Sequence, residues 1–338
     1  MSTFTRRGAM ALMGATAATP FIARTARAQT PINVGALRFT SHAPSFIAAE
    51  RGYFADAGLD VNFEFFQAAQ PMAIAIASGD ADYGVTAVTG GLISLAQKGA
   101  AKVIGGGLSE EPGIDGQKIL ASNDAYEAGL TDPSKLDGKT YGITQAGSSF
   151  HYMGSKIAQA EGAEVSFKPL QKVPAVIGAI KTGQIDAWSI VPHIAKPLAN
   201  AGAVKIIGDV SDYLPNYQVT TVFTSADNAA NKREQTAAFL EAFSRGAADF
   251  NAALVDNTAD EAERDAIIEL IAGYVYPDRS VEEARPSIVN GAMRINANAA
   301  LNRASVQDQL DWFKSEGLVG GDVAYDTLVD ESYVDVIS

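Results

Sequence analysis

The chain has 338 residues, of which 47% are hydrophobic and none is a cysteine. This length predicts two domains, each able to bury its own core. The lack of cysteine excludes disulfide bonds, thiolate metal sites, cysteine nucleophiles and a lipid-modified cysteine anchor. The formal net charge of −13 argues against nucleic acid and anionic lipid as partners.

The first 28 residues have the composition of an export signal. Arg6 and Arg7 precede an apolar stretch, and Ala26, Arg27 and Ala28 fit a small-x-small cleavage site. The paired arginines favour the twin-arginine route over the general secretory route. Without this segment, which holds four arginines and no acidic residue, the net charge becomes −17. No other stretch approaches the roughly 20 apolar residues of a membrane span, so we expect a soluble, monomeric protein of the periplasm.

The residues after the signal alternate between strand and helix patterns. A strand ends near Phe39, a helix runs from about Pro44 to Ala57, and a second strand runs from Leu59 to Phe66. A helix that ends at Gly79, a short strand and a further helix from about Gly90 follow. This order is typical of an α/β protein.

The same order of elements recurs about a hundred residues later. Gly79-x-x-Asp82 is matched by Gly183-x-x-Asp186, and each stands between a helix and a short strand. The repeat predicts two lobes of related topology. A chance match is the alternative, because this order of elements is common.

Two extended segments bracket the second copy of the repeat, at 116–123 and 216–225. We interpret them as crossovers between the lobes, which makes the first lobe discontinuous. The predicted division is 1–28 for the export signal, 31–120 for the first part of lobe 1, 121–216 for lobe 2, and 217–338 for the return to lobe 1 with the C-terminal helices.

The C-terminal tail carries an aromatic stripe. Phe239, Phe243 and Phe250 follow one another at spacings of four and seven residues, which puts them on one face of a helix. We predict that this face packs in the core and contacts no cofactor.

Four stretches of the chain carry a resemblance to a known family, namely 43–63, 75–85, 136–143 and 179–198. Together they resemble the solute-binding proteins of ABC importers of the nitrate, sulfonate and taurine type. The resemblance implies a two-lobed type II periplasmic-binding-protein fold with a hinge between the lobes. It also implies no catalytic residue, no cofactor, and an ABC permease in the inner membrane as partner. Relatives of the family bind or synthesise thiamine-related pyrimidines, but the cysteine-rich stretch of the synthetic enzymes is absent here.

Four loops are predicted to meet the ligand, because each follows a strand and leads into a helix; in chain order they are 39–42, 88–91, 147–151 and 188–193. Helix starts present N–H groups and partial positive charge, which suit an oxyanion. We expect the first and third loops to form the anion cradle. The predicted ligand-binding residues are Thr40, Ser41, His42, Thr89, Gly90, Gly147, Ser148, Ser149, His151, Trp188 and His193.

The third loop admits two other interpretations. A nucleophile elbow requires glycine two residues after the serine, but His151 stands two residues after Ser149. No spacing singles out a histidine and an acid to complete a triad. We therefore favour the ligand cradle, with helix capping by Ser148 or Ser149 as the second interpretation and a nucleophile as the third.

All three histidines of the chain lie in these loops, which raises the possibility of a metal site. No two of them have the spacing of a His-x-x-x-His pair, so we expect no metal. Trp188 is predicted to shape the apolar wall of the cleft, with core packing as the alternative. Phe39 and Phe150 are predicted to be core residues.

An acidic segment after a strand of the first lobe bears on whether the ligand is a pure anion or also carries an amine. Glu110, Glu111 and Asp115 lie near the expected crossover, and a carboxylate facing the cleft could receive an amine. We favour a solvated surface loop instead, because charged residues beside proline and glycine are usually exposed.

The sequence therefore predicts a periplasmic receptor that captures a small organic anion, a sulfonate or a carboxylate, and performs no chemistry. A receptor for a thiamine-related pyrimidine or another N-heterocycle is the first alternative. An exported enzyme that uses Ser149 or a histidine is the second.

Overall fold

The computed structural model describes residues 29–337, so the predicted export signal lies outside it. Within this range no helix has the length and apolar character needed to cross a membrane. The strands are β1 Thr30–Ala36, β2 Leu59–Phe65, β3 Tyr83–Thr86, β4 Ala101–Gly106, β5 Lys118–Ser122, β6 Thr140–Ile143, β7 Ser166–Pro169, β8 Ala187–Ile190, β9 Val204–Asp209, β10 Thr221–Ser225, β11 Leu301–Asn302 and β12 Val336–Ile337.

The α-helices connect the strands and form the C-terminal part. They are α1 Ala43–Glu50, α2 Tyr53–Asp56, α3 Ala69–Ser78, α4 Gly90–Gln97, α5 Asn123–Glu127, α6 Ser149–Glu161, α7 Val173–Lys181, α8 Pro192–Asn200, α9 Ala226–Asn231, α10 Arg233–Leu254, α11 Glu261–Val275, α12 Val281–Val289, α13 Arg303–Ser315 and α14 Tyr325–Leu328.

Two five-stranded sheets of equivalent order form the two lobes. The first has the order β2-β1-β3-β10-β4 and defines lobe 1; the second has the order β7-β6-β8-β5-β9 and defines lobe 2. In each sheet the fourth strand is antiparallel to both neighbours. These two strands, β10 and β5, are the ones by which the chain enters a lobe after leaving the other. The predicted two-lobed α/β architecture is confirmed, and the two crossover segments end in sheet strands.

The predicted repeat has the same hydrogen bonds in both lobes. The Asp82 carboxylate accepts the N–H of Asn33, and the Asp82 N–H donates to the Asn33 carbonyl. Asp186 makes both bonds in the same way with Thr140. Each aspartate thus fixes the start of a short strand against the neighbouring parallel strand. The chance match that we considered for the repeat is therefore wrong.

The local predictions hold with one difference near the N-terminus. The helix expected from Pro44 to Ala57 is split into α1 and α2, because Gly52 adopts a left-handed φ of 73° between them. Phe239, Phe243 and Phe250 are fully buried on α10, which confirms the aromatic stripe as core.

The two crossovers run side by side between the lobes. The N–H of Glu110 donates to the Tyr217 carbonyl, and the N–H of Leu108 donates to Thr220 Oγ1. The N–H of Val219 in turn donates to the Leu108 carbonyl. This paired connection is the hinge region of the fold. The residue boundaries of the lobes given above stay a prediction.

Candidate functional site

A cavity lies between the lobes and above the paired crossovers. Its volume is about 60 Å³, so the cleft is narrow. Lobe 1 contributes Leu37, Phe39, Ser41, His42, Ala68, Ala69, Thr86 and Ala87; the crossovers contribute Leu108, Gln117, Val219 and Thr220; lobe 2 contributes Thr144, Ser148, Ser149, Phe150, Val173, Ile190 and Val191. None of these residues is an acid, a lysine or an arginine.

Helices from both lobes begin at this cavity without a side-chain cap. The N-cap residues of α3, α7 and α8 are Ala68, Lys172 and Val191, and none of them accepts a bond from the first turn. Side chains cap several helices that begin elsewhere, as Thr89 caps α4, and Asp260, Ser280 and Asn302 cap α11, α12 and α13, whereas α10 also begins without a cap. Uncapped first-turn N–H groups need another partner, and a ligand can supply it.

The starts of α3 and α6 provide the best donors. The first two residues of α3, Ala69 and Gln70, keep their N–H groups and Pro71 comes third, whereas Pro174 and Pro192 remove a donor from the first two positions of α7 and α8. On α6 the Ser148 side chain accepts only the N–H of His151, which lies beyond the first two helical residues. Lobe 1 and lobe 2 therefore each offer the cavity one helix, α3 and α6, in which neither of the first two residues is a proline.

His42 is the histidine that lines the cavity. Its Nδ1 accepts the N–H of Leu37 at 3.3 Å, which places the ring proton on Nε2. Complete burial lowers the pKa of His42 to about 3, so the ring is neutral at physiological pH. The side chain can donate one hydrogen bond from Nε2 but carries no positive charge.

The second and third predicted loops contact each other and close one side of the cleft. The N–H of Gly90 donates to the Gly147 carbonyl at 2.9 Å. Gly147 has a left-handed φ of 73°, and its N–H donates to Nδ1 of His151. The His151 ring packs on Trp312 of α13, 5.1 Å between ring centres. Gly90, Gly147 and His151, together with the cap Thr89, thus join the lobes and do not line the cavity.

Thr40, Trp188 and His193 lie behind the cavity wall. All three are buried, and Trp188 makes an edge contact with Phe150 at 5.5 Å between ring centres. His193 contacts Phe39, and burial together with the nearby His42 lowers the pKa of His193 to about 3. Phe39 and Phe150, which we expected only in the core, are themselves wall residues. Of the predicted ligand-binding residues, Ser41, His42, Ser148 and Ser149 line the cavity.

The acidic segment divides into a buried and an exposed part. Glu110 is only 2% exposed, and its Oε1 accepts the N–H of Gln117 at 3.0 Å, so the surface interpretation is wrong for Glu110. Burial raises the pKa of Glu110 to about 7. Glu111 is partly exposed and pairs with Arg294, and Asp115 pairs with Lys118 and Lys196. None of the three acids lines the cavity, but Glu110 supports a residue that does.

Sequence reasoning missed the alanines at the start of α3 and the four crossover residues of the cavity floor. An alanine at an N-cap cannot be recognised as a binding residue from the sequence. Its role follows only from the cavity that lies beside it in the folded chain. Gln117 and Thr220 lay inside segments correctly identified as crossovers. The position of the crossovers between the lobes could have pointed to these two residues.

The sequence profile of the NMT1/THI5-like family matches residues 39–253, which is more than half of the chain. The chain belongs to the NMT1/THI5-like family. The predicted family resemblance is thereby confirmed. No protein of curated function is significantly similar to the chain in sequence.

Solved structures share the fold of this NMT1/THI5-like protein at low sequence identity. The alkanesulfonate-binding protein SsuA of Xanthomonas axonopodis pv. citri, bound to MOPS, superposes with a TM-score of 0.71 at 16% identity, over 90% of this chain and 100% of that one. The aliphatic sulphonate-binding protein SsuA of Escherichia coli gives 0.67 at 19% identity, over 88% and 97%. The nitrate-binding protein NrtA of Synechocystis PCC 6803 gives 0.67 at 14%, over 88% and 84%. These likenesses establish the periplasmic-binding-protein fold.

The cavity of the NMT1/THI5-like protein has hydrogen-bond donors but lacks the groups of a catalytic triad. Ser149 lines it, but the only histidine in the wall, His42, uses the lone pair of Nδ1 on the Leu37 N–H and has a proton on Nε2. That ring cannot take the serine proton without giving up the Leu37 bond. Across residues 29–337 no three His, Cys, Asp or Glu side chains come together as a metal site.

Proposed function

We propose that this NMT1/THI5-like protein is the periplasmic receptor of an ABC importer. It captures a small organic anion, a sulfonate or a carboxylate, between its lobes and delivers it unchanged to a permease in the inner membrane. The observation that carries the proposal is a pair of helix starts at the cavity: α3 has no side-chain cap, and the Ser148 cap of α6 accepts only the N–H of His151, the third helical residue. In soluble proteins a serine, threonine, aspartate or asparagine side chain normally accepts hydrogen bonds from such first-turn N–H groups. Here backbone N–H groups are left for a ligand.

A neutral wall with helix starts suits an anion of modest charge. First-turn N–H groups and the helix dipole attract an oxyanion without a lysine or arginine. The starts of α3 in lobe 1 and α6 in lobe 2 form the cradle in this proposal. An anion bound to both holds the lobes together, which links binding to closure.

The apolar part of the wall favours an organic solute over an inorganic ion. Leu37, Phe39, Phe150 and Val191 line the cavity, and an alkyl chain can replace water against such side chains. This agrees with the sulfonate ligands named for the two SsuA proteins and less well with nitrate, the ligand named for NrtA. The narrow cavity favours a solute of few atoms.

Two alternatives have weaker support. A pyrimidine receptor could stack the ring on Phe39 or Phe150, but the wall offers no acidic partner for the ring nitrogens, because Glu110 accepts the Gln117 N–H and does not line the cavity. An enzyme would need a base for Ser149, and His42 is committed to Leu37. We expect the receptor to act as a monomer, without cofactor or catalytic step.

Equilibrium binding with chemical recovery tests the receptor against the enzyme. The chain from residue 29 onward is incubated with alkanesulfonates and short carboxylates, and bound solute is released by denaturation. The proposal predicts one solute per chain, recovered unchanged. Product that accumulates beyond one equivalent, and that disappears in Ser149→Ala, would establish the enzyme alternative instead.

A further inference from the structure

His193 of lobe 2 is held in a corner of lobe 1. It is the second residue of α8 and is only 3% exposed. Its ring meets the Phe39 ring at 5.3 Å between ring centres, and its backbone carbonyl accepts the Tyr276 hydroxyl at 3.5 Å. A Cβ on Gly291 would lie 2.3 Å from the His193 Cβ, so the two backbones come as close as a glycine allows. We call Phe39, Tyr276 and Gly291 the seat of His193.

The three residues of the seat belong to lobe 1. Phe39 follows β1, and the other two follow α11 and α12. The α11 helix is fixed to α1 of lobe 1, because Tyr274 stacks on Phe46 at 4.5 Å between ring centres, and α12 packs on α11. Movement of lobe 2 away from lobe 1 therefore lifts His193 out of the seat and admits water to its ring.

A second residue of α8 touches the same corner. Lys196 lies one turn after His193, and its Nζ donates to the Asn290 carbonyl at the end of α12 at 2.8 Å. Asp115 of the crossover accepts from the same Nζ, so the charge of Lys196 is paired. The start of α8 and the end of α12 thus meet at two successive turns, and this contact joins the lobes beside the cavity.

The seat accepts an uncharged ring and offers nothing to a charged one. His193 Nε2 is closed to solvent and has no hydrogen-bond partner among residues 29–337. The ionisable groups nearest to it are His42 and Tyr276 of lobe 1 and the paired Lys196, and none of these is an acid. A buried charge without a counter-charge costs much free energy, so a protonated His193 does not fit the seat.

Charged residues on the surrounding elements do not change this. Beside the seat they are Arg38, Asp278 and Arg279; on the elements that pack against α8 they are Lys118 on β5, Lys205 and Asp209 on β9, and Glu282, Glu283 and Arg285 on α12. Among the described residues only burial and His42 shift the pKa of His193.

Closing of the cleft therefore removes protons from two histidines. With the cleft closed, burial lowers the pKa of His193 and of His42 to about 3. In an open cleft water reaches both rings, and their pKa values return toward the usual 6.5. Between these two values the open state binds more protons than the closed state, so a fall in pH favours opening.

We propose that His193 is a positioning residue that enters its seat on lobe 1 only in the uncharged form, so that the protein holds its solute at neutral pH and releases it in acid. This inference rests on the proposed function and adds its regulation. His42, in the cavity wall of the facing lobe, takes up a second proton on opening.

The pH dependence of affinity tests the role of His193. Calorimetry compares ethanesulfonate, which stays ionised throughout, and pentanoate at about pH 7.5 and about pH 5.5. His193→Phe keeps an aromatic ring against Phe39 but cannot take up a proton, and His193→Leu controls for the ring. One histidine whose pKa falls from 6.5 on closure weakens binding about tenfold over this range. We expect the acid-induced loss of affinity to be about tenfold smaller in both variants than in the wild type.

The other groups that titrate in this range do not affect the comparison. His42, His151 and Glu110 are present in all three proteins, so their contributions cancel. Proton release gives a second readout. An exposed histidine is half protonated at about pH 6.5, so binding at that pH should release about half a proton fewer in His193→Phe, measured by calorimetry in buffers of different ionisation enthalpy.

The outcomes separate this inference from the proposed function. An equal acid-induced loss in the wild type and both variants would show that His193 stays buried in lobe 2 whether the cleft is open or closed. That result overturns the inference while the anion receptor stands. If neither probe binds the wild type at about pH 7.5, the proposed function fails and the inference fails with it.

Discussion

Glu110 shows how a single buried carboxyl can set the pH range of the fold. Because burial raises its pKa to about 7, the folded state keeps the proton of Glu110 at pH values where the unfolded chain, with a pKa near the usual 4.5, has lost it. The folded state therefore binds more protons than the unfolded state between these values, and its stability falls as pH rises through this range. Above about pH 7 the loss of folding stability caused by Glu110 has reached its full size.

The variant Glu110→Gln removes this titration and keeps the oxygen that accepts the Gln117 N–H. In urea unfolding we expect it to be more stable than the wild type by about 3 kcal/mol at about pH 8 and equal to it near pH 4. His42 and His193, whose pKa values burial lowers to about 3, destabilise both proteins alike as pH falls below about 6.5. Glu111→Gln, at a partly exposed position where the carboxylate pairs with Arg294, is the control and should give no gain at pH 8. A variant without a pH-dependent gain would contradict the buried, protonated Glu110.

At the scale of the elements, the proposed anion cradle depends on helix starts, and the uncapped start of α3 offers the sharpest test. Ala68, its N-cap, has extended backbone angles of −161° and 160° and is 5% exposed. Ala68→Asp places a carboxylate where the proposed anion binds, and Ala68→Asn places a neutral cap of the same shape. We expect both to stabilise the ligand-free protein by about 1 kcal/mol, since a cap satisfies first-turn donors.

The two caps should differ in binding. Ala68→Asp repels an anion and should weaken its binding by more than tenfold relative to Ala68→Asn, as measured by calorimetry. Lys232→Asp, at the uncapped start of α10 outside the cavity wall, should leave affinity unchanged. Equal affinities for the Asp and Asn variants would remove α3 from the anion cradle.

The elements were largely predictable from the sequence, and the cavity wall only in part. Most helices and strands could be predicted from the period of the hydrophobic residues and from the glycines that end helices, because both signals depend only on residues close in sequence. The Gly-x-x-Asp repeat gave the two lobes because Asp82 and Asp186 bond to strands that are near in the same lobe. Ala68 and Gln117 were missed because their role depends on what folding brings beside them. Trp188 and His193 were assigned to the cleft because of their position in a loop. Side-chain packing instead places them behind Phe39 and Phe150, and this packing is not visible in the sequence.

At the scale of the whole molecule, we expect the two lobes to close on the solute, and tryptophan fluorescence can follow this motion. It has two tryptophans. Trp312 on α13 packs against His151 of lobe 2, whereas Trp188 is fully buried inside lobe 2. We expect opening of the cleft to separate Trp312 from His151 and to leave the surroundings of Trp188 largely intact.

We therefore expect solute binding to change the intrinsic fluorescence mainly through Trp312. The change should disappear in Trp312→Phe and persist in Trp188→Phe, at saturating solute verified by calorimetry. A full signal in Trp312→Phe would mean that α13 and lobe 2 move together, and the His151 contact would then not belong to the closing surface.

A thermal-shift screen of the chain from residue 29 onward tests the central claim most directly. The compounds are alkanesulfonates, taurine, nitrate, aliphatic and aromatic carboxylates, and pyrimidines. A solute that binds only the folded state raises the melting temperature by mass action. We expect a rise with organic sulfonates or carboxylates and little or none with nitrate or pyrimidines. A rise confined to pyrimidines would contradict the anion cradle at the starts of α3 and α6.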